Sequence, residues 1–124
     1  MSIALDYVRV SENLRVKRGC GKEKVKAEGH CRMCRRPHSV RPLTKHHLVP
    51  CRFFRRNPQW RLLRDCDPNL VGLCSICHEN VELSDRNGGL PYRRMLRRLM
   101  TQAEISFVIQ VRGRDWLEHR YPLR

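Results

Sequence analysis

Apolar positions fall in short runs along the chain, which predicts a small mixed fold of brief strands and helices. The segment Leu43-Thr44-Lys45-His46-His47-Leu48-Val49 has the β-branched and apolar content of a short strand, ended by Pro50. A loop is expected next, with turn signals at Asn57-Pro58 and Asp67-Pro68. From Ser75 a helical period fits better: Ile76, Asn80 and Leu83 share one stripe and His78 and Glu82 another, with an end expected before Asn87-Gly88-Gly89. Pro91 suits the first turn of a second helix, Tyr92 to Met100, whose apolar stripe is Tyr92, Leu96 and Leu99. Thr101-Gln102-Ala103-Glu104 is a capping box opening a helix that Gly113 stops, and a short amphipathic piece, Trp116 to His119, precedes Pro122.

Composition adds a problem that this pattern does not solve. A chain of 124 residues makes one compact domain, and 40% apolar with 6% aromatic residues is lean for a self-sufficient core, so a further source of stability is expected. The organisation expected is a basic N-terminal arm over residues 1–29, a chemically dense core over 30–86 and a C-terminal helical extension over 87–124, all in one compact domain. The arm is read from Arg15, Lys17, Arg18, Lys22, Lys24 and Lys26 gathered around Gly19 and Gly21 with little apolar periodicity. Lysine and arginine number 26 against 12 acidic residues, a net charge of +14 and a pI near 10.4. Most of these cations are arginine, whose planar fork pairs with phosphate, so the expected partner is a nucleic acid. No run approaches a membrane span, and the first residues lack a basic segment followed by an apolar one, so a cytoplasmic protein is expected.

In a reducing compartment, seven cysteines, an odd number, argue against a disulfide framework and direct attention to metal. Cys31-Arg32-Met33-Cys34 and Cys74-Ser75-Ile76-Cys77 are two knuckles, each setting two thiolates on a tight turn, and together they complete a tetrahedral site for a structural Zn²⁺. Closing the long segment between them would supply the stability that the thin core lacks. The alternative, a redox dithiol, wants a βαβ setting that the pattern does not offer. Cys20, Cys51 and Cys66 are expected to be small buried side chains, although Cys20, between two glycines, is able to compete for metal.

His46-His47-Leu48-Val49-Pro50, then Asn69-Leu70, then Cys74-x-x-Cys77-His78 follow one another in the order of a known pattern. In this the chain resembles the HNH endonuclease family of ββα-metal nucleases, in its small zinc-knuckled phage or bacterial type, over about residues 31–82. The resemblance implies an α+β fold: a small ββα-metal, treble-clef-like core held by a Cys₄ zinc, with additional C-terminal helices. It also implies that His47 is the general base, that His46 and His78 hold a catalytic divalent cation, and that Asn69 organises the loop orienting His47. Some members carry another histidine four residues after the His78 position, where this chain has Glu82. At i+4 that carboxylate reaches the same ion and favours Mg²⁺ or Mn²⁺, with Ni²⁺ a further option. Hydrolysis of a phosphodiester needs a water deprotonated near neutral pH, which an imidazole does, and a cation near the developing charge. Adjacent strand residues point to opposite faces, so His46 and His47 share a cleft only if the strand ends there.

The resemblance makes DNA the expected substrate, cut on one strand or both, with contacts mostly to phosphates. Arg52, Arg55, Arg56, Arg61 and Arg64, in the loop after His47, are expected near the backbone, flanked by Arg93, Arg94, Arg97 and Arg98, whose like charges stacked at i,i+4 would be relieved there. Phe53, Phe54 and Trp60 are read as core, and His30, His38 and His119 as outside the chemistry. The rival reading is a zinc-finger nucleic-acid-binding module without catalysis. A homodimer, or a partner in a phage packaging or restriction assembly, is also compatible with the sequence.

Overall fold

A computed structural model describes residues 20–124, which run as helix, strand, helix, strand and four further helices. Helix α1 (Cys20–Glu28) precedes the first knuckle. Strand β1 (Leu43–His47) pairs antiparallel with β2 (Leu70–Cys74), Leu43 lying opposite Cys74 and His47 opposite Leu70. Between the strands come α2 (Cys51–Arg56) and two 3₁₀ turns, Pro58–Leu63 and Asp67–Asn69. After β2 come α3 (Ser75–Glu82), α4 (Gly89–Leu99), α5 (Gln102–Arg112) and α6 (Arg114–Arg120). A small mixed α/β fold around a two-stranded sheet is thus present. No helix among the described residues is long and apolar enough to cross a membrane.

Every residue of β2 is buried, which explains its unbroken Leu-Val-Gly-Leu-Cys composition. Helix α1 covers one side of it, and Gly72 permits this: a Cβ there would meet the Val25 side chain at 3.0 Å. Lys24 of the same helix donates to the carbonyls of Asp67 and Leu70, each at 2.8 Å. The boundary of the basic arm is corrected accordingly. Residues 20–29 belong with the core, because Val25 and Lys24 spend their side chains on β2, while residues 1–19 lie outside the described residues.

Three further expectations change. The stretch after Pro50 is largely helical turns, with Phe54, Trp60 and Leu63 buried beneath them and Phe53 half-buried. The stripe read for α3 is not its inner face: Val81 is buried and Ile76 exposed, since the knuckle turns Cys77 inward and Cys74 Sγ caps the helix by accepting from Cys77 N–H. In α4 the inner face is Arg93, Leu96, Arg97 and then Met100, while Leu99 is exposed. Arg93 and Arg97 are therefore withdrawn from the expected phosphate-contacting set. Arg93 donates to the carbonyls of Val81 (3.0 Å) and Leu83 (2.7 Å) and to Asp85, tying off the end of α3. Arg97 donates to the Tyr121 carbonyl (2.8 Å) and to Glu118 (3.1 Å). Their apolar stems pack in the core while their forks satisfy carbonyls that would otherwise be orphaned.

The capping box forms as expected, with Thr101 and Glu104 bonded to each other's backbone N–H groups, and Gly113 ends α5 at a φ of 92°. Glu104 does more than cap. It is fully buried and accepts from Lys24 (2.6 Å) and from both Arg32 nitrogens (2.9 and 3.0 Å), joining α1, the first knuckle and α5. Burial alone would raise its pKa, but the hydrogen bonds from Arg32 and Lys24 outweigh it and hold the carboxyl below its ordinary 4.5. The folded protein thus keeps Glu104 ionised at a lower pH than the unfolded chain does. Its contribution is complete above about 4.5 and is lost as pH falls through the lowered native value. Glu104→Gln is expected to cost about 3 kcal/mol at neutral pH by removing the counter-charge of buried Arg32 and half-buried Lys24. Urea unfolding should show that deficit shrinking as the pH drops below the glutamate range.

Candidate metal centres and the adjoining cleft

The two knuckles meet beside the sheet. The sulfurs of Cys31, Cys34, Cys74 and Cys77 all lie within 4.8 Å of one another, and Cys34 Sγ is 3.8 Å from Cys74 Sγ. A disulfide would bring two sulfurs to about 2 Å, whereas a tetrahedron with zinc–sulfur arms of about 2.3 Å has edges of roughly 3.8 Å. The backbone N–H groups of Cys34 and Cys77 donate to Cys31 Sγ and Cys74 Sγ, each at 3.5 Å. Burial opposes ionisation at Cys74, yet the bonds from Cys77 and its neighbours draw its pKa down to about 6. Burial and the neighbouring sulfurs push Cys77 up. Four thiols this close cannot all ionise alone, and a divalent cation removes the conflict. The set fits a structural zinc. Of the remaining cysteines, Cys66 is buried as expected, its thiol pushed up to about 12, but Cys51 is only half-buried and lines the cleft described below. No side-chain position is described for Cys20.

A second group lies where β1 meets α3. His46 comes from β1, His78 and Glu82 from successive turns of α3, and one ligand atom of each lies within 4.8 Å of the others. Two hydroxyls settle the tautomers. Tyr121 Oη donates to the Leu48 carbonyl (2.8 Å), so it must accept from His46 Nε2 at 3.0 Å. Thr44 Oγ1 donates to the Leu73 carbonyl (2.8 Å) and accepts from His78 Nδ1 at 2.7 Å. The lone pairs of His46 Nδ1 and His78 Nε2 are left toward Glu82 Oε1, at 3.0 and 3.9 Å. His46 Nδ1 is buried and has no hydrogen-bond partner, despite its closeness to the carboxylate: two acceptors face each other. Burial lowers the pKa of both imidazoles. The Arg120 guanidinium, 3.4 Å from Oε2, favours the charged form of Glu82. Two neutral imidazoles and a carboxylate with converging lone pairs are a donor set for a divalent cation.

His47, next along β1, stays out of that group. Its Nε2 lies 2.8 Å from Asp65 Oδ1, and because a carboxylate only accepts, Nε2 carries the proton and Nδ1 the lone pair. Partial burial works against the Asp65 charge, but the bonds from Arg64 and His47 prevail and keep its pKa below the ordinary range. Asn69 is fully buried in the turn before β2. Its Oδ1 accepts from Val49 N–H (2.8 Å), and its Nδ2 donates to the carbonyls of Val49 (3.2 Å) and Arg64 (2.8 Å). These bonds replace the ladder where β1 ends, two residues earlier than expected, and hold the chain leaving His47 against the turn that carries Asp65.

An open cleft of about 700 Å³ joins these parts. His47, His78 and Glu82 line it, and Lys45, Arg52, Arg55 and Arg120 contribute its positive charge. Arg52, Arg55, Arg56, Arg61, Arg64 and Arg98 are exposed and Arg94 is half-buried. His30 and His38 lie away from the cleft, where His38 Nδ1 accepts from Leu43 N–H. Thr44, Asp65, Arg120 and Tyr121 were not signalled by the sequence, since nothing in their local context distinguishes them from other polar residues. No known family, no curated protein and no solved structure matches this chain.

Proposed function

We propose that the protein is a metal-dependent DNA endonuclease of the HNH type, which hydrolyses phosphodiester bonds in the cleft beside His47. The observation that carries this reading is the convergence of His46, His78 and Glu82, tautomers fixed, one residue away from a histidine braced by a carboxylate. Two antiparallel strands followed directly by a helix, with the cysteine cluster at their base, support the ββα-metal reading of the fold.

His47 acts as the base. With Nε2 donating to Asp65, Nδ1 accepts a proton from water, the water oxygen attacks phosphorus, and the bond to the leaving oxygen breaks, that oxygen taking a proton from solvent. Asp65 steadies the imidazolium formed, and Asn69 fixes the backbone on which His47 rides. His46, His78 and Glu82 would hold a divalent cation, Mg²⁺, Mn²⁺ or Ni²⁺, which would supply positive charge to the phosphate oxygens. Lys45, Arg52, Arg55 and Arg120 draw the polyanionic strand into the cleft.

Supercoiled plasmid incubated with the zinc-loaded protein should be nicked or linearised on addition of Mg²⁺, Mn²⁺ or Ni²⁺. Cleavage should stop on chelation and be lost in His78→Ala. Tight binding with no cutting in any metal would instead support a non-catalytic zinc-held binding module.

A further inference from the structure

The cleft has a neighbour. A smaller pocket of about 150 Å³ lies on the other side of the α2 N-terminus, lined by Pro50, Arg52, Phe53, Arg56, Arg112 and Trp116 among others. Pro50 and Arg52 line both spaces, so the two are adjacent. The Arg112 guanidinium sits over the Phe53 ring, 4.8 Å from its centroid, and 5.2 Å from that of Trp116. Burial and the nearby Arg52 charge both disfavour the Arg112 cation.

Three arginines, Arg52, Arg56 and Arg112, line this single pocket. Arg64, Arg93, Arg97 and Arg120 each have a carboxylate partner, as does Arg32. Arg52, Arg56 and Arg112 have none among the described residues. Cations gathered without a counter-charge, one of them packed against aromatic rings that hold it in place, form a ready site for an oxyanion. Arg112 already lies over the rings, so a nucleobase cannot take its place by stacking. The space suits a tetrahedral group and not a nucleoside.

Resting on the nuclease reading, we propose that the Arg52–Arg56–Arg112 pocket binds a phosphate group of the DNA strand, next to the one that occupies the cleft. Phe53 and Trp116 hold Arg112 ready for it. The site is thus a second anchor, fixing where the strand lies as it leaves His47.

The test is equilibrium binding of the full-length, zinc-loaded protein to fluorescent DNA oligonucleotides across a salt series, with no divalent cation added beyond the zinc. Arg112→Gln should weaken binding and make the slope of log K against log salt shallower by about 0.9, the effect of one lost phosphate contact on a duplex. Arg112→Lys should keep the slope while losing part of the affinity, and Arg36→Gln, on the exposed turn of the first knuckle, serves as the control for net charge. Oligonucleotides with and without a 5′-phosphate separate the two sources of the group. A loss seen on both assigns an interior phosphodiester, and a loss seen only on phosphorylated DNA assigns the strand terminus. Arg56→Gln, whose side chain lines this pocket and not the cleft, provides a second route should Arg112→Gln fold poorly, as judged by its melting curve. If Arg112→Gln and Arg56→Gln bind with wild-type affinity and slope, or no better and no worse than Arg36→Gln, the pocket is not a phosphate site. Failure of the wild-type protein to bind DNA also overturns it. Binding without cleavage would sink the nuclease reading alone and leave this site standing.

Discussion

Cys74→Ser is expected to abolish the cooperative thermal transition, and removing zinc with a strong chelator should do the same to the unaltered protein. Cys74 is fully buried, closes β2 and caps α3, and its sulfur lies 3.8 Å from that of Cys34, 40 residues away in sequence. A structural zinc supplies on the order of 10 kcal/mol of apparent binding energy, comparable to the entire stability of a domain, about 5–15 kcal/mol. The aromatic side chains buried with it include Phe54, Trp60, Phe107 and Tyr121, few for a core of this size. Circular dichroism against temperature, with metal content measured on the same samples, provides the check. A Cys74→Ser protein that melts like the wild type would show that the thiolate cluster is not what holds the fold.

The second large effect concerns His47. His47→Ala should lower plasmid cleavage about 10²–10⁴-fold, the usual contribution of a positioned general base, with DNA affinity and melting temperature little changed. The side chain is partly exposed and bonds Asp65 alone, so its loss leaves no buried partner unsatisfied. Asp65→Asn should give a smaller loss, because the imidazole keeps a hydrogen-bond acceptor at that position but loses the charge that steadies its protonated form. Single-turnover digestion at saturating protein separates this from weakened binding. Undiminished cleavage by His47→Ala would move the base elsewhere.

Much of this arrangement is local in sequence and could therefore be read from it. The knuckles declare themselves by spacing, the capping box by Thr101 and Glu104, and the stop of α5 by Gly113, because each depends on residues a few positions apart. The grouping of His46, His78 and Glu82 was likewise expected, though from a pattern that no single segment contains. What escaped depends on contacts between distant elements. Arg93 and Arg97 look like a solvated basic face until the carbonyls of Val81, Leu83 and Tyr121 arrive beside them. The run Cys51-Arg52-Phe53-Phe54-Arg55-Arg56 is too short for its period to show, and its helix follows from packing Phe54 and Trp60 into the core. Tyr121 is 75 residues from His46 and Asp65 is 18 from His47, separations across which single-sequence reasoning has no purchase.

The hydroxyl partners of the two imidazoles have a consequence for metal loading. Tyr121 and Thr44 fix the tautomers of His46 and His78 with the ligating nitrogens bare, burial disfavours their protonation, and Arg120 favours the charged form of Glu82, so a cation entering there displaces no proton at neutral pH. The cysteine cluster must shed protons to take up its ion, and so acidification competes with zinc first. A gentle downward pH titration should thus release the scaffold's metal, and with it the fold, before protonation of the histidine site becomes the limiting event.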